Sequence, residues 1–107
     1  MNRGDLTTVA LQGDLGKPQP ALVIQSDLFS DHPSIAVLPV TSTLQPTPLV
    51  RIDIEPSESN GLRHRSQVMV DKMQAVPRSR LGPAFGRVDD ETLLAVNRAL
   101  AVFLGLA

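Results

Sequence analysis

The chain has no cysteine, which excludes a disulfide framework, a thiolate metal site and a redox-active thiol. Packing alone must hold the fold. Tryptophan and tyrosine are also absent and phenylalanine occurs three times, too few rings for the platforms on which RRM and OB-type proteins stack bases. Any contact with RNA is expected through polar and basic groups. The same shortage argues against an adaptor groove for proline-rich peptides, which is lined by aromatics. No stretch approaches the ~20 apolar residues of a membrane span, and Met1-Asn2-Arg3-Gly4-Asp5 turns polar without the apolar core of a signal peptide. The expectation is a cytoplasmic protein without a membrane partner. At 107 residues the chain closes one core and reads as a single domain, residues 1–107.

Net charge is close to zero, −1, which argues against a general nucleic-acid coat. The distribution is uneven: residues 1–60 carry −4, residues 61–88 carry +5, and the rest carries −2. A local basic strip can steer a polyanion, or it can be a solvated strand-and-turn face.

Leu6, Val9 and Leu11 among threonines predict a first strand over residues 4–11. Gly13 to Pro20, broken by glycines and prolines, reads as a mobile loop. Ala21–Gln25 is short and apolar enough for a buried strand, Ser30–Pro33 turns the chain, and Ile35–Val40 makes a third strand. Pro39 places the end of that strand at an edge or bulge. After the polar loop Thr41–Pro48, Leu49–Ile54 alternates, with Val50, Ile52 and Ile54 on one face. A turn over Ser57–Gly61 leads to a fifth and sixth strand within Ser66–Val76, with Val68 and Val70 inward. Arg78–Leu81 suggests a short helical turn. A helix starts at Asp89 or Asp90 and aligns Leu93, Val96, Leu100, Phe103 and Leu104. The fold class is mainly β with a C-terminal helix: a small curled antiparallel sheet or partly open barrel.

Arg3-Gly4-Asp5-Leu6, Pro20 to Asp27, and Leu38-Pro39-Val40-Thr41-Ser42 each resemble a block of the MazF/PemK toxin family. So do Gly61-Leu62, Ser66 to Asp71 and Pro77 to Gly82, in the same order, followed by a similar closing helix. The resemblance implies an SH3-like barrel of the MazF/CcdB type and a symmetric homodimer. It also implies a cognate antitoxin whose disordered tail covers the RNA groove, and metal-independent, sequence-specific cleavage of single-stranded RNA with no cofactor. CcdB-type toxins present a C-terminal tryptophan to DNA gyrase, whereas this chain ends Phe103-Leu104-Gly105-Leu106-Ala107, which argues against a gyrase poison. The tripeptide Arg3-Gly4-Asp5 spells an adhesion motif but falls where the family opens its first strand.

Metal-free cleavage needs a base for the 2′-hydroxyl, an acid for the leaving 5′-oxygen and donors for the phosphate. By the resemblance, the family's phosphate-binding arginine before the second-strand proline is replaced here by Gln19, which donates a hydrogen bond but carries no charge. Thr41 matches the family threonine that hydrogen-bonds the scissile phosphate, with Ser42 as a second hydroxyl; either can instead cap its own turn. Asp71 matches the catalytic aspartate of the PemK branch, a candidate general base that could equally make a structural hydrogen bond, and the arginine expected two residues earlier is Met69. These departures also fit a weakened homologue that only binds RNA or antitoxin. The missing charge is sought in Lys17, Arg63, His64, Arg65 and Lys72, with His64 able to exchange a proton near neutral pH. The alternative for Arg63-His64-Arg65 is a solvated turn. Two distant histidines form no zinc signature, so no metal site is assigned.

Overall fold

The computed structural model describes residues 1–10 and 17–107; Leu11 and the Gly13–Gly16 part of the expected loop lie outside the described residues. Seven strands are described: β1 (Asp5–Ala10), β2 (Pro18–Val23), β3 (Ser34–Thr41), β4 (Arg51–Ile54), β5 (Ser66–Met69), β6 (Gln74–Pro77) and β7 (Gly86–Arg87). One helix, α1 (Asp90–Phe103), closes the chain. All registered pairs are antiparallel, in the order β4-β5-β3-β2-β1-β7, with β6 also on β3. The result is a half-barrel of antiparallel strands with one C-terminal helix.

Three prolines decide where its ladders stop. The Val23 carbonyl accepts from Gly4 N–H (2.8 Å) on the β1 side, while Ile24 N–H donates to the Ala36 carbonyl (3.1 Å) on the β3 side. Backbone groups alternate along a strand, so the nitrogens of Pro18, Pro20 and Leu22 face β3. Leu22↔Leu38 is therefore bonded, but Pro20 has no N–H to offer Val40, and pairing ends at Ala21↔Pro39. At residues 18–20 the registered partner is β1 alone. This edge-like setting lets β2 begin at Pro18, three residues before the expected start. The Pro39 nitrogen faces the other side, where β3 leaves β6 at Val37↔Gln74 and joins β5 at Val40↔Val68. Pro39 is thus buried in a central strand at a change of partner.

The apolar run 21–24 is buried on both faces. Leu22 and Ile24 pack with Leu6, Leu38, Val68 and Val96; Ala21 and Val23 pack with Val9, Ile35, Val37 and Val76. Each of these buried Val, Leu and Ile side chains contributes roughly 1.5–3 kcal/mol. Ser66–Val76 holds β5 and most of β6, as expected, and the break between them is a 3-10 turn at Val70–Lys72 that buries Val70. Helix α1 is capped by Asp89, whose Oδ1 accepts from Thr92 N–H (2.7 Å). Val96 and Leu100 are buried, but Phe103 and Leu104 are each 47% exposed. Their share of the expected apolar face projects beyond the sheet.

Candidate active site

Where Pro20 ends the β2–β3 ladder, the strands part and a cleft of about 840 Å³ opens. Pro18, Gln19 and Pro20 form one wall; Val40, Thr41 and Ser42, at the end of β3, form the other. Gly61–His64, Ser66, Thr8 and Phe85 complete it. Its volume falls within the ~300–1,000 Å³ typical of ligand sites. No Asp or Glu is among these lining residues, whereas Arg63 and His64 are.

The side chains meet here for local reasons. Val9↔Gln19 pairing leaves the Gln19 side chain half-buried, with no hydrogen bond to any described residue. Thr41 Oγ1 accepts from Thr43 N–H (3.0 Å), the turn-capping bond that sequence alone offered as an alternative. The hydroxyl proton can still be donated, now in a fixed orientation. The loop bearing Arg63 and His64 is held by a buried polar knot at Asn60. Its Oδ1 accepts from Ser57 N–H and Leu62 N–H (3.0 Å each), its Nδ2 donates to the Glu55 carbonyl (2.8 Å), and its backbone N–H donates to Ser57 Oγ (3.1 Å). Gly86 lies so close to the Asn60 carbonyl that a Cβ there would collide with it at 2.1 Å. From the other end, Ser66 Oγ donates to the His64 carbonyl (2.8 Å).

Of the residues singled out from sequence, the cleft therefore brings together Gln19, Thr41, Ser42, Arg63 and His64. Lys17 is exposed and immediately precedes Pro18, a lining residue, but does not itself line the cleft. The other three lie elsewhere. Arg65, the residue before β5, does not line the cleft and is instead paired with Asp53 (3.2 Å) and Glu55 (3.1 Å). The Gln67 amide, and then Arg65, hold the Asp53 carboxyl below its ordinary value, so it stays charged and keeps Arg65 engaged. Asp71 and Lys72 sit beyond the far end of β5, in the 3-10 turn, with 3.7 Å between Oδ2 and Nζ. Asp71 Oδ1 is buried without a hydrogen-bond partner among the described residues. Neither residue lines the cleft that holds Thr41.

Sequence reasoning missed Thr8, Leu62, Ser66 and Phe85 as lining residues. The Thr8↔Pro20 register was unreadable without the observed start of β2. Phe85 arrives because the segment after Gly82 runs along β1, with Gly82 N–H bonded to the Thr8 carbonyl and Phe85 N–H to the Leu6 carbonyl. A second groove, of about 480 Å³ between β4 and the start of α1, is lined by Asp53, Glu55, Asp89 and Glu91 and repels a polyanion. The adhesion tripeptide is spent internally. Arg3 Nε donates to the Ile24 carbonyl (2.8 Å), and Asp5 Oδ1 accepts from Arg87 Nη1 (3.1 Å).

The profile of the PemK-like, MazF-like toxins of type II toxin-antitoxin systems matches residues 2–104. A protein of Mycolicibacterium smegmatis named probable endoribonuclease MazF is 44% identical over 108 residues, covering 100% of this chain and 99% of its own. Endoribonuclease EndoA of Bacillus subtilis is 28% identical over 112 residues, covering 99% and 96%. A solved structure titled an endoribonuclease in complex with its cognate antitoxin, from a mycobacterial species, superposes with a TM-score of 0.84. At 23% identity, with 100% of this chain and 97% of that one covered, it shows the shared fold.

Proposed function

This chain belongs to the PemK-like, MazF-like toxin family of type II toxin-antitoxin systems, and from that premise we propose that it cleaves single-stranded RNA in the β2–β3 cleft. It acts as the endoribonuclease toxin of its module, as one 107-residue domain. One observation carries the assignment of the site: four hydroxyls, one amide and two basic side chains line a cleft that has no carboxylate among its lining residues. The names of the relatives, endoribonuclease MazF and EndoA, favour a working catalyst over a weakened binder.

The chemistry follows from the donor set. The RNA 2′-oxygen attacks the adjacent phosphorus, the P–O5′ bond breaks, and the products carry a 2′,3′-cyclic phosphate and a 5′-hydroxyl. His64 takes the 2′-proton, and the leaving 5′-oxygen is protonated from water. Thr41 O–H and the Gln19 amide donate to the non-bridging oxygens as their charge grows, and Arg63 supplies the positive charge that Gln19 lacks. Ser42 and Lys17 hold the flanking backbone. Strand scission in excess EDTA tests this: a long single-stranded RNA gives discrete fragments ending in cyclic phosphate. Intact RNA at high enzyme excess contradicts it.

The module supplies the partners. A cognate antitoxin, the partner that the family's toxin-antitoxin systems imply, covers the cleft and silences the toxin, and the toxin works as a homodimer. No helix among the described residues is long and apolar enough to cross a membrane. We place the toxin in the cytoplasm, with its RNA.

A further inference from the structure

Phe85 has no part in the chemistry above, yet it lines the same cleft and remains 39% exposed. Its backbone N–H is bonded to the Leu6 carbonyl (2.8 Å). Its ring leans on Gly61, where an added Cβ would come within 3.1 Å of Cδ1 and 2.9 Å of the Phe85 carbonyl oxygen. Gly61 has a φ of +68°, and with no side chain there the ring is supported from behind. Leu62 and Val40 extend the apolar surface, while Arg63, His64, Thr41 and Ser42 furnish polar groups beside it.

An exposed ring braced against a glycine, in a cleft with cations and hydroxyls at hand, suits a ligand with a flat π-face and a phosphate. We propose that Phe85 is the stacking platform for one unpaired nucleobase of the RNA, next to the phosphate held by Thr41 and Arg63. This deepens the nuclease reading and rests on it for the identity of the ligand. Base–aromatic stacking tolerates any base but favours the stronger stackers, so Phe85 contributes affinity first and base preference second. The low aromatic content of the chain does not exclude RNA stacking: of its three phenylalanines, Phe85 is the one that lines the cleft.

The chain has no tryptophan or tyrosine, so Phe85→Trp installs a single reporter. The probes are hexamers of 2′-O-methyl A, C, G or U, which cannot form the cyclic phosphate, and an abasic hexamer with the same backbone. At saturation at least one base-bearing hexamer should quench the reporter strongly, while the abasic hexamer binds by anisotropy without quenching. Phe85→Leu, which keeps an apolar side chain, should weaken base-bearing hexamers by roughly 5- to 150-fold, the equivalent of one lost stack, and leave abasic affinity unchanged. Absence of quenching by every hexamer, or equal affinity of wild type and Phe85→Leu for base-bearing RNA, would overturn the proposal. Cleavage by the wild type is scored separately: a wild type that cleaves while Phe85→Leu cuts the same sites at the same rate sinks the stacking role alone. Quenching of the Phe85→Trp reporter together with a wild type that binds the hexamers but cleaves no RNA sinks the nuclease reading alone.

Discussion

His64 owes its position to backbone it does not control. Asn60 ties down the start of the loop, Ser66 ties down its end, and Gly86 must remain glycine for the Asn60 carbonyl to lie where it does. The side chains of Arg63 and His64 are exposed and have no bonds of their own among the described residues, which leaves them available to a phosphate. Asp71 is in the opposite position, part-buried and outside the cleft. Two substitutions separate these residues. His64→Ala should lower the cleavage rate by about 10²–10⁴-fold, the usual worth of a positioned proton acceptor, while Asp71→Asn should lower it by less than about tenfold. Single-turnover rates on one RNA measure both, and the reverse ranking would return the base to Asp71. Motif matching identified Gln19 and Thr41, but it could not separate Arg65 from His64. The two are adjacent in sequence, and it is the ion pairs to Asp53 and Glu55, invisible in the sequence, that hold Arg65 away from the cleft His64 lines.

The helix was legible almost to the residue at its start because its signal is local: Asp89 caps, and Val96 and Leu100 recur on one face. The strands were legible where apolar runs are continuous, as in β2 and β3. They were misread where proline or a turn acts through a neighbouring strand. Pro18 and Pro20 look like breakers in sequence, but β1 lies on their other side and their missing N–H groups face the cleft. The turn at Val70–Lys72 was hidden because Val70 keeps the burial expected of a strand residue. The cap gives a pH prediction. The Thr92 side chain and then its backbone N–H, both bonding to Asp89, hold this carboxyl below its ordinary value. A carboxylate so lowered stabilises the fold above its unfolded value, about pH 4, and loses that contribution as the pH falls through its folded value. Asp89→Ala should therefore lower Tm at pH 7, with the difference from wild type shrinking below about pH 4. A constant difference across that range would show that the charge of the cap is immaterial.

Charge is sorted over the surface more sharply than a net of −1 suggests. The basic stretch 61–88 delivers Arg63 and His64 to the β2–β3 cleft, while Asp53, Glu55, Asp89 and Glu91 collect in the groove beside α1. The first attracts a polynucleotide and the second repels it, and the acidic groove also neutralises Arg65. Family membership rests on the full length of the chain, but the location of the RNA rests on this segregation. Amide chemical shifts of the 15N-labelled protein, titrated with an uncleavable 2′-O-methyl RNA, locate the bound strand. Shifts should concentrate at Gln19, Thr41, Ser42, Arg63, His64 and Phe85, and spare Glu55, Asp89 and Glu91. Shifts confined to the acidic groove, or a saturated complex that leaves the β2–β3 cleft unperturbed, would contradict the assignment.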